Sequence, residues 1–404
     1  MDATRTRMTR NRRRARNRIT ATAGDQLVHH PVHVARPAVT ADDEHPHTVD
    51  DGRPHRDMVS SLTEAQAPAA QAAAAQAAKR PIGGHGQSCG LDSPRRPRRK
   101  EHDMAEQRSW DIVTGPGLTA LGIAASRTVE SSMPDALIDD RFGAAFVQAV
   151  ASPVPFPLNW PAEGEPVTDR QALSLHTSRY IGVRSRFYDD FVHDALRGGV
   201  GQVVLLAAGL DTRAFRLGWP GDVTLYELDQ PQVLAFKDDV LQRKQAQPGC
   251  RRVPVGTDLR EEWPGALIAA GFTPSDPTAW IAEGLLGYLP AAAEERLIRE
   301  IHRLSVPGSR LALDRFAHLE RLASDTATLD QLTSRSGIEA RALFNTETRP
   351  HPAQWLRPNG WTIREDDDRT VAHRYGRDLT DPFTGKATRP WLDTQFLTAE
   401  LTRT

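Results

Sequence analysis

Short apolar runs alternate with helical stretches from residue 202 onward, and this rhythm constrains the fold more than any other feature of the chain. The runs cover residues 202–208, 223–229, 251–256, 278–284 and 309–316, and helical stretches such as residues 291–305 separate most of them. Apolar strands that alternate with helices are typical of a buried parallel sheet with helices on both faces. The pattern therefore predicts an α/β fold with a doubly wound, mostly parallel sheet. Residues 361–367 and the segment WLDTQFLTAEL are the predicted sixth and seventh strands.

A helical region precedes the predicted sheet. Apolar residues recur near helical spacing over residues 117–131, and a second helix is predicted over residues 135–150. A long third helix is expected over residues 170–196, because Gly198 and Gly199 follow it and glycine commonly ends helices. These segments form an N-terminal helical cap. Residues 317–350 are polar with helical character, which suggests a lid near the end of the chain.

The first 103 residues differ in composition from the rest of the chain. They contain no Phe, Trp or Tyr, and 18 Lys and Arg against 12 Asp and Glu give them a charge of +6. The remaining residues carry −7, so the formal net charge of −1 hides two unlike parts. Without large apolar side chains, a segment cannot bury enough surface to offset the entropy of ordering. We therefore predict a disordered, basic, low-complexity extension over residues 1–103 and one globular domain over residues 104–404.

Met104 is the expected start of the working protein, since everything before it lacks the residues that build a core. The simplest account of residues 1–103 is a dispensable tail or an upstream start that was assigned in error. The alternative is a basic arm that contacts nucleic acid through its phosphates, because the first 18 residues contain eight arginines. The arm has no aromatic side chain on which bases could stack, so nucleic acid is not the expected partner.

Several classes of protein are disfavoured by what the sequence lacks. It has no run of about 18 apolar residues, so no membrane span is expected. Its two cysteines, Cys89 and Cys250, cannot form a disulfide framework, which favours a reducing, cytoplasmic environment. It has neither a CxxC pair nor an HExxH motif, so no metal site is predicted.

The first predicted strand ends in the turn AAGLDTR. Small residues allow a backbone to approach a ligand closely, and Asp211 and Thr212 are able to cap the helix that follows. The turn contains one glycine, Gly209, and does not match GxGxxG. A pyrophosphate needs more exposed backbone N–H groups than this turn offers, which counts against NAD or FAD.

Acidic residues follow the second and third strands. Asp229 lies 20 residues after Gly209, about the spacing at which a carboxylate meets a ribose hydroxyl pair. Glu227 is a second candidate on the same strand, and a helix cap is the alternative role for Asp229. After the third strand, Asp258 could accept from an adenine amino group while the N–H of Leu259 donates to a ring nitrogen. Asp258 could equally cap a helix.

Charged residues also mark the fourth strand and the helix before the first strand. Glu283 ends the fourth strand, where its carboxylate would suit a cationic ligand group, and a structural salt bridge is the alternative. Arg184 could pair with a ligand carboxylate. Arg179 and Arg186 compete for that role, and a solvated helix face is the default for each of them.

Together these strand ends resemble the leucine carboxyl methyltransferase-like family, in particular its bacterial branch of S-adenosylmethionine-dependent O-methyltransferases. The resemblance covers roughly residues 109–380. The combination of matching segments is specific to the family, whereas each segment alone is not. The matching segments are TALGIAASRTVES, PDALIDDRFGAAFV, RSRFYDDFV, VVLLAAGLDTRAFRL, YELDQPQVL, VGTDLREEWPGAL, TAWIAEGLLGYLP, VPGSRLALD and HPAQWLRPNGW.

The resemblance implies a class I methyltransferase fold and S-adenosylmethionine as cofactor. It implies that Asp229 holds the ribose, that Asp258 and Leu259 meet the adenine, and that Arg184 and Glu283 lie at the methionine end. The turn at Gly209 would approach the cofactor. Many members have Gly-x-Gly in this turn, whereas this chain has Ala207 in the first position, and we expect only a modest effect.

The expected reaction is methyl transfer to an oxygen of a small-molecule or carboxylate-bearing acceptor. A hydroxyl acceptor would need a general base, and none is assigned among Tyr180, Tyr188, Tyr288 and His193. The competing interpretations are an NAD-dependent oxidoreductase on a similar sheet and a non-catalytic binding protein with a basic arm. The sequence specifies neither the acceptor nor the oligomeric state.

Overall fold

The computed structural model describes residues 112–317, 343–386 and 393–402, together with residues 319, 329, 330 and 333. The extension predicted over residues 1–103 lies outside this range, so that prediction stays open. Most of the lid predicted over residues 317–350 lies outside it as well.

A seven-stranded sheet in the order β3-β2-β1-β4-β5-β7-β6 forms the centre of the described structure. Strands β1 to β5 pair in parallel, whereas β7 runs antiparallel to both β5 and β6. The strands are β1 Gln202–Leu206, β2 Thr224–Asp229, β3 Arg251–Gly256, β4 Thr278–Ala282, β5 Arg310–Phe316, β6 Trp361–Asp367 and β7 Thr394–Leu401. The predicted α/β, doubly wound and mostly parallel fold is confirmed.

The central strands have the burial that their apolar sequences require. All five residues of β1 and all five of β4 are buried, as expected for strands covered by helices on both faces. The helices are α1 Gly115–Ser131, α2 Gly143–Gln148, α3 Asp169–Arg197, α4 Arg213–Arg216, α5 Pro231–Arg243, α6 Pro264–Ala269, α7 Ala291–Arg303, α8 Pro352–Leu356 and α9 Asp368–Arg374. Short 3-10 turns cover Leu286–Tyr288 and Arg357–Asn359.

Local sequence explains where the long helix α3 begins and ends. The Thr168 hydroxyl accepts from the N–H of Gln171, and the Gln171 side chain accepts in return from the Thr168 N–H, which is a capping box. At the other end, Gly199 adopts a positive φ of 84° just after Gly198. The predicted helix over residues 170–196 is thus confirmed within one residue at each end.

The second predicted helix is shorter than its sequence suggests. Helix α2 covers only Gly143–Gln148, whereas the prediction began at residue 135. The Asp140 carboxylate accepts from the N–H groups of Phe142 and Gly143, so it caps a helix that starts only there. It also pairs with Arg127 of α1 at 2.7 Å. This tertiary contact fixes Asp140 ahead of the helix.

Candidate functional site

A pocket of about 380 Å³ opens at the carboxyl ends of the central strands. Strand β1 lies between β2 and β4, so the direction of the chain's crossovers changes beside it, and ligands of open α/β sheets bind at such a point. The walls come from α1, α3, the turns after β1, β2 and β4, and the end of β5. Among the lining residues are Thr119, Ile123, Arg127, Arg184, Ala207, Gly209, Asp211, Arg213, Asp229, Glu283, Gly284, Leu285, Tyr288 and Phe316.

The turn after β1 brings backbone to the pocket surface. Ala207 and Gly209 both adopt the left-handed region, with φ of 55° and 48°. A Cβ on Gly209 would meet only the Ala207 carbonyl, at 4.0 Å, so the turn is open to a ligand there. Left-handed backbone suits glycine and strains alanine, so the Ala207 position is one where a glycine would fit better.

Asp229, at the end of β2, is held by this turn. Its Oδ2 accepts from the N–H of Gly209 at 2.6 Å, and its Oδ1 accepts from the N–H of Gln230 at 2.7 Å. Burial raises the pKa of the Asp229 carboxyl, although both of these N–H groups and Lys237 act in the opposite direction. A carboxylate offers about four acceptor sites. Asp229 therefore has lone pairs left on both oxygens beside the pocket.

Glu283 lies between two arginines at the end of β4. Arg184 donates from Nε to Glu283 Oε1 at 3.0 Å, and Arg213 donates from Nη1 to Glu283 Oε2 at 2.8 Å. Burial opposes the charge of this carboxyl, but Arg213 and Arg184 outweigh it and hold the pKa of Glu283 below its ordinary value. Within the described part of the chain, the two terminal nitrogens of Arg184 donate no hydrogen bond. They are available to an anionic ligand group.

Arg213 is the main site residue that the sequence analysis missed. It is almost completely buried and pairs with Asp189 of α3 at 2.7 Å, with Asp211, and with Glu283. Arg216 also binds Asp189, with contacts of 2.5 and 2.7 Å. Arg213 belongs to the single-turn helix α4, so no local sequence pattern marks it as a site residue.

The turn after β4 depends on a second buried carboxyl. Asp314 of β5 accepts from the N–H of Gly284 at 2.7 Å and from the Tyr188 hydroxyl at 2.6 Å. Gly284 has a φ of 60°, and a Cβ there would lie 3.3 Å from Arg184 Nη1. Only glycine combines this backbone with such a close guanidinium. Asp314 therefore fixes the backbone that brings Glu283 and Arg184 together.

Helix α1 covers the pocket and is attached to the turn after β1. Arg127 donates from Nη2 to the Leu210 carbonyl at 2.6 Å and from Nε to Asp140 at 2.7 Å.

The predicted capping of helix α4 is only half correct. Asp211 accepts from the Arg213 N–H, but Thr212 makes no side-chain capping bond.

Other predicted residues lie away from the pocket. Asp258 is partly exposed and binds Arg260 through both oxygens, and Leu259 packs into the core. Neither lines the pocket, so their proposed contact with adenine stays a prediction. Glu227 is fully buried and accepts from Lys237 at 2.8 Å and Arg252 at 2.7 Å, which makes it part of an internal ion pair rather than a ribose ligand.

Most of the remaining candidate residues also lie away from the pocket. Arg179 lies over the Trp160 ring, and Arg186 pairs with Asp190 on the same helix, so neither lines the pocket. Tyr180 donates to Thr394 at 2.8 Å. Neither Tyr180 nor Tyr188 lines the pocket, and the same holds for His193. Tyr288 is the one of these tyrosines that does.

Within the described residues, no group of three or more His, Cys, Asp or Glu could hold a metal ion. None of the helices that the structure describes is long and apolar enough to cross a membrane.

The sequence of this chain is similar to those of known proteins. The sequence profile of the leucine carboxyl methyltransferase family matches residues 120–302. A "putative S-adenosyl-L-methionine-dependent methyltransferase" of Mycobacteroides abscessus is 45% identical over 285 residues, which cover 67% of this chain and 88% of that protein. A Streptomyces coelicolor protein of the same description is 45% identical over 272 residues, 67% of this chain and 89% of its own. A solved "putative methyltransferase" from Thermobifida fusca is 16% identical and covers 70% of this chain and 98% of its own, with a TM-score of 0.39.

Proposed function

The chain belongs to the leucine carboxyl methyltransferase family of S-adenosylmethionine-dependent methyltransferases, and on that premise we propose that it transfers a methyl group to an oxygen atom of a small-molecule acceptor. The observation that carries the proposal is the pocket at the carboxyl ends of β1, β2 and β4. The lining of this pocket combines the Asp229 carboxylate, the Arg184 guanidinium and the turn that contains Gly209.

The described residues fit the cofactor at both of its polar ends. Asp229 keeps two oxygens with free lone pairs, which suits the two hydroxyls of a ribose. Arg184 keeps its terminal nitrogens, which suit the carboxylate of the methionine part, and Glu283 suits the ammonium group beside it. The turn over residues 207–209 would lie against the middle of the cofactor, where small residues permit close approach.

When bound, S-adenosylmethionine supplies a methyl group on a positively charged sulfur, already activated for in-line displacement. The protein therefore needs chiefly to align the two reactants and exclude water. The network of Arg213, Glu283 and Arg184 would hold the methionine end, because α3, α4 and the turn after β4 each contribute one of its members. Helix α1 forms one wall of the pocket, and its Arg127 donates to the Leu210 carbonyl.

Two of the three acidic residues that line the pocket, Asp211 and Glu283, are unsuited to act as a general base. Asp211 pairs with Arg213, and although burial opposes its charge, that arginine and Lys237 lower the pKa of Asp211 to about 2. Glu283 is likewise held ionised between arginines. Groups with such low pKa values are poor proton acceptors at neutral pH. With Asp229 assigned to the ribose, an oxygen acceptor would be a carboxylate, which has no proton to lose, or a hydroxyl that ionises before the methyl transfer.

Calorimetry tests the cofactor half of the proposal. The full chain is titrated with S-adenosylmethionine, S-adenosylhomocysteine and NAD, and we expect low-micromolar or somewhat weaker binding of the first two and none of NAD. NAD binding, or no binding of S-adenosylhomocysteine, would overturn the assignment.

The acceptor half is tested by turnover. Libraries of carboxylic acids, phenols and amines are incubated with the protein and S-adenosylmethionine that carries a deuterated methyl group, and products are identified by mass spectrometry. Methyl esters or ethers are the expected products. Products methylated only on nitrogen would refute transfer to oxygen while leaving the methyltransferase activity in place.

A further inference from the structure

The order of the strands divides the pocket into two ends. The ribose candidate Asp229 follows β2, and the methionine candidates follow β4 and lie on α3. Strand β5 is the next neighbour beyond β4, and Phe316 at its end also lines the pocket. If the proposed cofactor position is correct, the space at β5 is the part of the pocket left for the second reactant.

Aromatic rings wall this second end. Phe316 and Tyr288 both line the pocket, and the Phe344 ring packs against each of them with centroid distances of 5.4 Å. The Phe316 and Phe344 rings meet edge to face, with 86° between their planes. Leu319 and Leu329, which do not line the pocket, pack against Phe316 and Phe344. Apolar side chains outside the pocket lining therefore support these two rings.

A glycine makes room for the ring of Phe316. A Cβ on Gly287 would lie 2.8 Å from Phe316 Cε2 and 3.6 Å from Phe344 Cδ1. Real Cβ atoms do not approach a carbon that closely. Glycine at position 287 therefore leaves the space that the Phe316 ring occupies.

Tyr288 adds one polar atom to an otherwise apolar wall. Burial raises the pKa of its hydroxyl, which therefore stays protonated at neutral pH and is able to donate. Thr119, whose hydroxyl donates to the Gly115 carbonyl at 3.4 Å, also lines the pocket from α1. A ring-bearing ligand would find rings to contact at this end and a donor for its oxygen. Leu285 and Ile123 extend the apolar surface.

We propose that the end of the pocket walled by Tyr288 and Phe316 binds the methyl acceptor, and that this acceptor carries its reactive oxygen on a planar aromatic ring. The inference rests on the proposed function, since it takes the cofactor to occupy the Asp229 end. Ring faces and edges attract one another beyond the burial of apolar area, so a planar ring gains more from this wall than a saturated ring of the same size. Tyr288 orients the acceptor oxygen by donating to it.

Matched pairs of probes test the ring requirement on the full chain saturated with S-adenosylhomocysteine. Naphthol and naphthoate supply an aromatic ring with either oxygen group, and decahydronaphthol and decahydronaphthoate supply the same skeletons without aromaticity. We expect each aromatic member to bind at least about fivefold more tightly than its saturated counterpart. With S-adenosylmethionine in place of the product, the aromatic member of the preferred pair is the one methylated.

Phe316→Leu keeps an apolar side chain and removes the ring, so we expect it to bring the aromatic preference close to one while the affinity for S-adenosylhomocysteine stays within twofold. Phe383→Leu is the matched control, because Phe383 is an exposed ring that does not line the pocket. Tyr288→Phe keeps the ring and removes the hydroxyl, so it should keep the aromatic preference and weaken both aromatic probes severalfold.

The outcomes separate the two proposals. If S-adenosylhomocysteine does not bind, the proposed function fails and this inference fails with it. If it binds, the inference alone is overturned by saturated probes that bind as well as aromatic ones, by the absence of binding of all four probes, or by an aromatic preference that survives in Phe316→Leu. The parent protein already decides the first two cases, so the test does not depend on a variant that folds.

Discussion

Replacing Asp229 with alanine tests the geometry of the cofactor site directly. In the protein, Gly209 and Gln230 each donate one backbone N–H to this carboxylate, which leaves lone pairs on both oxygens for two ribose hydroxyls. A hydrogen bond to a charged acceptor contributes about 1.5–3 kcal/mol, and contributions of neighbouring bonds are seldom fully additive. We expect a loss of about 2–3 kcal/mol for the pair, which is roughly a 30- to 150-fold rise in Kd for S-adenosylhomocysteine.

Calorimetry of the parent and two variants measures this loss. Asp239→Ala is the control, since Asp239 lies on the exposed face of α5 and pairs there with Arg243. Asp229→Asn adds a sharper comparison. Its amide has one oxygen, so its NH₂ group must face the N–H of either Gly209 or Gln230, and asparagine should rescue little of the affinity. If Asp229→Ala binds within twofold of the parent, Asp229 is a helix cap and the ribose assignment is wrong.

Four further outcomes follow from the same contacts. Binding of S-adenosylhomocysteine should weaken as pH falls through the raised pKa of Asp229, since the hydroxyls need the ionised form, and a flat calorimetric pH profile would contradict this. Ala207→Gly should raise the free energy of unfolding in urea by about 0.5 kcal/mol, because relief of about 1–2 kcal/mol of left-handed strain exceeds the added entropy of the unfolded chain; a lower unfolding midpoint would refute this. Asp314→Asn, which can still accept from Gly284, should keep an affinity for S-adenosylhomocysteine that Asp314→Ala loses severalfold, and equal affinities would show that Asp314 does not position the turn. Because Asp211 has its pKa lowered to about 2, its contribution to stability is present above its unfolded pKa of about 3.8 and is lost as pH falls toward 2; unchanged acid sensitivity in Asp211→Asn would count against it.

Where the strands lie, and which residues follow them, could be predicted from the sequence. A strand buried on both faces must be apolar along its length, so β1 and β4 are visible as continuous apolar runs. The carboxyl ends of parallel strands meet at one edge of the sheet. For that reason Gly209, Asp229 and Glu283, which end or follow their strands, all lie at one pocket.

What the side chains do there was decided by tertiary packing. Glu283 meets Arg213 across 70 residues of sequence, and Asp189 meets the same guanidinium from α3, so no local pattern could show that they form one network. The helix predicted over residues 135–150 begins only at Gly143, because the contact of Asp140 with Arg127 outweighs the local helical pattern before it. Local periodicity reports which face of an element is buried; it carries no information on which distant charge neutralises another, because that depends on how the elements are brought together.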